Sequence, residues 1–187
     1  MRHLRLWGRF DMFEEYLQDS YEFLETANTA KNASDGRKAK RYYRASVFYA
    51  AGGIEAFTNY ISDSFAQAGS LSPVEIAFLN DKRLTFDKGK QIERIEFHSL
   101  DEKLRLLITM FVPSFDFGNA VRSRLMAFKD LRDSLVHPKR NDDDIDIVEY
   151  QKNVSIGLAA VIEIMNCLSK GIFKKPLRKQ LLDLMPE

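Results

Sequence analysis

Apolar side chains return every three or four residues along most of this chain, and that period constrains its fold more than any other feature. Phe10, Phe13, Leu17, Tyr21 and Leu24 follow it, as do Val47, Ala51, Ile54, Phe57, Ile61 and Phe65. Residues spaced in this way share one face of a helix. The polar stretch Asn32-Ala33-Ser34-Asp35-Gly36 separates the two runs, so the pattern predicts one helix before it and a longer one from about Arg37 to Ala68, stopped near Gly69. Within the second run Ala50-Ala51-Gly52-Gly53 is unfavourable, since each mid-helix glycine loses about 1 kcal/mol relative to alanine. A close helix crossing at that point is the expected compensation.

The remaining segments extend the same architecture. Ser72-Pro73 opens a short helix to about Leu79, whereas Asp81 to Phe97 is charged, poorly periodic and reads as irregular. Ser99 and Glu102 form a capping box for a helix that ends before Pro113. Val121, Leu125, Phe128, Leu131 and Leu135 make the apolar stripe of a helix from Asn119 to Val136. After the polar stretch Pro138 to Asp146, a long helix carries Val148, Val154, Leu158, Val161, Ile162, Met165 and Leu168, and Leu177 to Leu184 adds a short terminal one. No alternating strand pattern competes. The expectation is an all-α, antiparallel helical bundle of about five main helices, and 187 residues at 45% hydrophobic suffice for one domain with a substantial core.

Charge and cysteine content narrow the function classes. The net charge of +1 carries no global polyelectrolyte signal, so nucleic-acid binding would need a local patch. Two basic stretches qualify, Lys31 to Arg44 and Arg122 to Arg140. Cys167 is the sole cysteine, expected in the core, which excludes an intramolecular disulfide and a multi-cysteine zinc site and fits a reducing compartment. The N-terminus lacks a signal-peptide apolar region and the run Ile156 to Ile162 is too short to span a bilayer, so a cytoplasmic protein without membrane association is expected. No metal or cofactor is expected either. Asp142-Asp143-Asp144-Ile145-Asp146 lacks the turn glycine and terminal Glu of a calcium loop, His3 and His98 have no ligand-spaced partners, and Gly52-Gly53 has no phosphate-loop lysine.

The stretch that carries chemistry is Arg132-Asp133-Ser134-Leu135-Val136-His137, followed at once by Pro138. Proline disfavours the helical conformation at the residue before it, so the helix should end at about His137 with the imidazole on its last turn. Asp133 and His137, four apart, are neighbours on the helix surface, and Arg132 reaches the same cleft only because the helix stops there. A guanidinium is a permanently charged planar fork suited to phosphate oxygens, and histidine exchanges protons near neutral pH. Asp133 would either orient the imidazole or fix Arg132. Glu55 and Asn59, four apart on an apolar helix, read as a buried polar pair satisfying a neighbouring helix end, or else as support for the motif.

A helical bundle of this size with Arg-Asp-x-x-x-His at the end of its penultimate long helix resembles the HEPN superfamily, whose signature is Arg, a polar residue, then His after three further positions. Lys129-Asp130-Leu131-Arg132-Asp133-Ser134-Leu135-Val136-His137-Pro138-Lys139 looks like the motif setting of bacterial members, and Ile54-Glu55-Ala56-Phe57-Thr58-Asn59 looks like their earlier helix with embedded Glu and Asn. The resemblance implies a single HEPN-like domain over residues 1–187. It implies a metal-independent endoribonuclease, of the toxin or defence-effector kind, that cleaves RNA through its own 2′-hydroxyl. Arg132, Asp133 and His137 would be catalytic, Lys129, Lys139 and Arg140 would hold RNA, and Glu55 and Asn59 would stand behind them. A homodimer with both motifs facing one cleft is implied, with an antitoxin or another regulatory protein as a further partner. Some members are instead non-catalytic dimeric scaffolds that bind RNA or a protein. Members controlled by nucleotide transfer carry Tyr two residues after the motif His; here that position is Lys139, so that regulation is not expected.

Overall fold

The computed structural model describes residues 7–68, 71–116, 120–137 and 146–186, together with their side chains except those of residues 7–11 and 67–68. Helix dominates. In order the elements are α1 (Trp7–Asn32), α2 (Gly36–Ala68), α3 (Pro73–Leu79), β1 (Lys82–Asp87), β2 (Lys90–Ile95), α4 (Leu100–Phe111), α5 (Ala120–Val136), α6 (Ile147–Phe173) and α7 (Lys179–Leu182).

α1 and α2 form an antiparallel pair. Ser34 takes a positive φ of 62° to reverse the chain, and Asp35 then caps α2 by accepting from the Lys38 amide at 3.0 Å. From the turn outward the pair is joined by Asn28 with Tyr43, by the buried hydroxyls of Ser20 and Ser46, and by Phe13 edge-on to Phe57 at 5.1 Å. Gly52 and Gly53 sit at the crossing: a Cβ on Gly52 would lie 3.4 Å from the Tyr16 ring, and one on Gly53 3.3 Å from Leu17. The glycines thus allow the close approach that their unfavourable helix propensity called for. Phe10 and Gly69 fall among residues whose side chains or placement are not described.

The core closes around α6, whose buried residues run from Tyr150 through Val154, Leu158 and Ile162 to Leu168. It packs against α1, α2, α4 and α5. Asp146 caps its start by accepting from the Val148 and Glu149 amides. Val148, expected inward, is exposed, because in the first turn of α6 it is Ile147 and Tyr150 that face the core. Cys167 is half-buried rather than fully enclosed, and burial pushes its thiol above the ordinary range. By length and composition α6 is apolar enough to cross a membrane, yet half of its most apolar window is buried within the bundle.

The segment expected to be irregular is instead an antiparallel hairpin, β1 paired to β2 from Lys82↔Ile95 to Asp87↔Lys90. Its two turn residues, Lys88 and Gly89, have φ of 48° and 77°, the positive pair that matches the twist of a two-residue hairpin. Lys88-Gly89 was the missed signal. Charged residues hide the strand alternation, because the arm is solvated on much of both faces, with Phe86 and Ile95 exposed. The Ser99–Glu102 capping box starts α4 as the spacing predicted, and α3, expected from Ser72-Pro73, opens with a further box between Ser72 and Glu75.

α5 meets α6 at Gly157, where an added Cβ would fall 2.0 Å from a ring carbon of the buried Phe128. Gly157→Ala is therefore expected to force these helices apart and lower stability by about 1–3 kcal/mol, the usual scale of core overpacking. Urea unfolding of the two proteins measures it, and an unchanged midpoint would contradict this packing.

Candidate functional site

α5 ends at Val136, and its outer face carries the motif beside α2. Arg132 bridges the helices: one terminal nitrogen donates to Glu55 Oε1 at 3.0 Å and the other lies 2.9 Å from Asp133 Oδ1. Lys129, one turn earlier, donates to the other Asp133 oxygen at 2.8 Å. The hydrogen bond from Lys129, opposed by partial burial and reinforced by the charges of Arg132, Lys129 and His137, holds the Asp133 carboxyl below the usual carboxylate range. The same bond, against burial, raises Lys129. Of the two roles open for Asp133, its carboxylate contacts are those that fix Arg132.

Glu55 is half exposed and Asn59 is exposed, so they are not a buried polar pair capping a helix end. Both line a cleft of about 350 Å³ together with Lys129, Arg132 and Asp133. Its remaining wall comes from parts of the chain the motif did not indicate: Asp81 before β1, Phe97 and His98 after β2, and Lys103 on α4. His137 is exposed at the end of α5, its amide donating to the Asp133 carbonyl at 2.9 Å, and is not among the residues lining this cleft. Lys139 and Arg140 lie outside the described residues.

The basic stretch on α5 is largely compensated. Arg122 donates to Asp101 of α4 at 3.1 Å, Arg124 to Glu163 of α6 at 2.7 Å and Arg132 to Glu55 of α2, so each arginine ties α5 to a different helix. A guanidinium has five N–H donors, so two carboxylates do not exhaust that of Arg132. Among the described residues no cluster of His, Cys, Asp or Glu could hold a metal ion.

Asp81 is the corner of the cleft. With φ of 57° it turns the chain out of α3, its carbonyl accepts from Glu96, and its two carboxylate oxygens accept from the His98 amide at 2.9 Å and Lys103 Nζ at 2.7 Å. The capping box that starts α4 could have placed His98 at an element end, but its place on the same cleft as Arg132 is a matter of tertiary packing.

Burial pushes the Asp81 carboxyl upward, but the Lys103 and His98 hydrogen bonds and their charges outweigh it and leave the group below its ordinary value. A depressed carboxyl stabilises the fold above its unfolded value near about 4, and the contribution is lost as pH falls through the lower folded value. Asp81→Asn is expected to lower stability by about 1–2 kcal/mol at neutral pH, the scale of a lost charged hydrogen bond. The gap from wild type should close in strong acid; urea midpoints across pH test this, and a gap that widens in acid would contradict it. Compared with protein-family models, curated protein sequences and solved structures, the chain matches none of them, so the chemistry of the cleft rests on its own side chains.

Proposed function

We propose that the chain is a metal-independent endoribonuclease of the HEPN type, acting as a homodimer. The observation that carries this is the placement of Arg132: its guanidinium, clamped by Glu55 and Asp133, stands in the wall of an open cleft large enough for a nucleotide rather than against the core. In this reading Arg132 neutralises phosphate oxygens as charge develops on them. An imidazole takes the proton of the 2′-hydroxyl, whose oxygen attacks phosphorus, and the bond to the 5′ oxygen breaks as that oxygen is protonated. His137, exposed one turn beyond Asp133, is free to serve a cleft shared between two copies across a two-fold axis. A toxin or defence effector restrained by a regulatory protein in the cytoplasm is the setting such an activity suits.

The second reading is a non-catalytic dimeric scaffold that binds RNA or a protein. The ion pair of Arg132 with Glu55 and the position of His137 outside the cleft lining favour it.

The two readings separate by experiment. Because proton transfer and charge stabilisation are both assigned to side chains, cleavage of single-stranded RNA should persist in EDTA and leave a 2′,3′-cyclic phosphate or its hydrolysis product. Equal cutting of DNA would refute the mechanism. Arg132→Ala and His137→Ala should each stay folded within about 1 kcal/mol, since neither side chain lies in the core, yet lose at least about a hundredfold in rate. Variants that fold and retain full activity would remove these residues from the mechanism, while RNA binding without cleavage by the wild type would favour the scaffold. Sedimentation should show a dimer at tens of micromolar, as an order-of-magnitude working concentration, and a monomer there would contradict the shared cleft.

A further inference from the structure

We propose that His98 is a second proton-transfer group of this cleft, so that each protomer carries an imidazole on the same cleft as its own Arg132. The inference rests on the ribonuclease reading and adds a residue that the motif does not contain. His98 lines the cleft with Arg132 and Lys129, although the three come from separate elements. Its ring stacks on Phe78 of α3, with centroids 3.8 Å apart and planes 28° from parallel. Its amide is tied to Asp81, which Lys103 fixes in turn. A group that must exchange a proton with a bound substrate needs this kind of support from packing and hydrogen bonds. Histidine 137 has a different setting, at the exposed end of a helix.

The chemistry balances with two imidazoles. A neutral one accepts the 2′-hydroxyl proton while the 2′ oxygen bonds to phosphorus; the bond from phosphorus to the 5′ oxygen breaks, and an imidazolium gives its proton to that oxygen. His98 takes one of these roles and His137, from either copy, the other. The charged groups around His98 are Asp81 before the hairpin, Glu102 and Lys103 on α4, and Glu55, Lys129, Arg132 and Asp133 on α2 and α5.

The test uses the full chain, His98→Phe and a short mixed-sequence single-stranded RNA. Phenylalanine keeps a ring to stack on Phe78 but transfers no proton. The expected result is a fall in kcat of at least about a hundredfold with KM within about threefold, and loss of one limb of the pH–rate profile. The all-deoxy strand should bind to wild type and variant alike. If His98→Phe keeps its rate and both limbs while Arg132→Ala is inactive, His98 is only structural and the ribonuclease reading stands without it. If His98→Phe and Arg132→Ala both keep full activity, or if the wild type cuts no RNA, the cleft is not the site and both proposals fall together. Should His98→Phe fail to fold, His98→Gln reports the same rate, and full activity in it overturns the role of His98.

Discussion

Burial of α6 is the constraint on which the rest of the structure depends. Val154, Leu158, Val161, Ile162, Met165 and Leu168 keep no accessible surface, and they can lose it only if other helices cover the faces they occupy. α2 and α5 therefore lie beside one another along it. The contact with α5 is close because Gly157 offers no side chain and the Phe128 ring fills the space a Cβ would take. From that packing follows the meeting of Glu55 and Arg132, 77 positions apart in the chain and 3.0 Å apart in space.

A second pattern is electrostatic. Arg122, Arg124 and Arg132 recur on α5, and each ends on a carboxylate of a different helix. None of these half-exposed pairs contributes much stability alone, since solvent screens them and ordering long side chains opposes them. Their effect is to orient. A planar fork held by two carboxylates points in a defined direction, and the charge left at the cleft is local rather than spread over the surface. That agrees with a chain whose overall charge is close to zero.

The hairpin and the cleft are linked through one residue. Asp81 adopts a left-handed backbone conformation that Asp tolerates better than most residues, closes the base of the hairpin through Glu96, and joins His98 to Lys103. The wall opposite the motif thus depends on a tight, partly buried ion pair as well as on the helices α3 and α4 that it joins. It is the one part of the site built from a segment that lacks helical periodicity.

Helices were legible because their signals are local. A stripe such as Ile54, Phe57, Ile61 and Phe65 reports its own face, a Ser99–Glu102 box reports its own start, and Gly52-Gly53 announces a crossing by its poor propensity. Arg132 and Asp133 were legible as a pair for the same reason, being adjacent on one helix. The hairpin was not, since a short solvated arm has no apolar alternation and declares itself only through the backbone sign of Lys88 and Gly89. Tertiary structure alone decided that Glu55 faces solvent and clamps Arg132, that His137 stands off the cleft, and that His98 and Lys103 line it. Those placements depend on how the whole bundle buries α6. Periodicity tells each helix which face to bury, but only the packed core selects the neighbour that covers it.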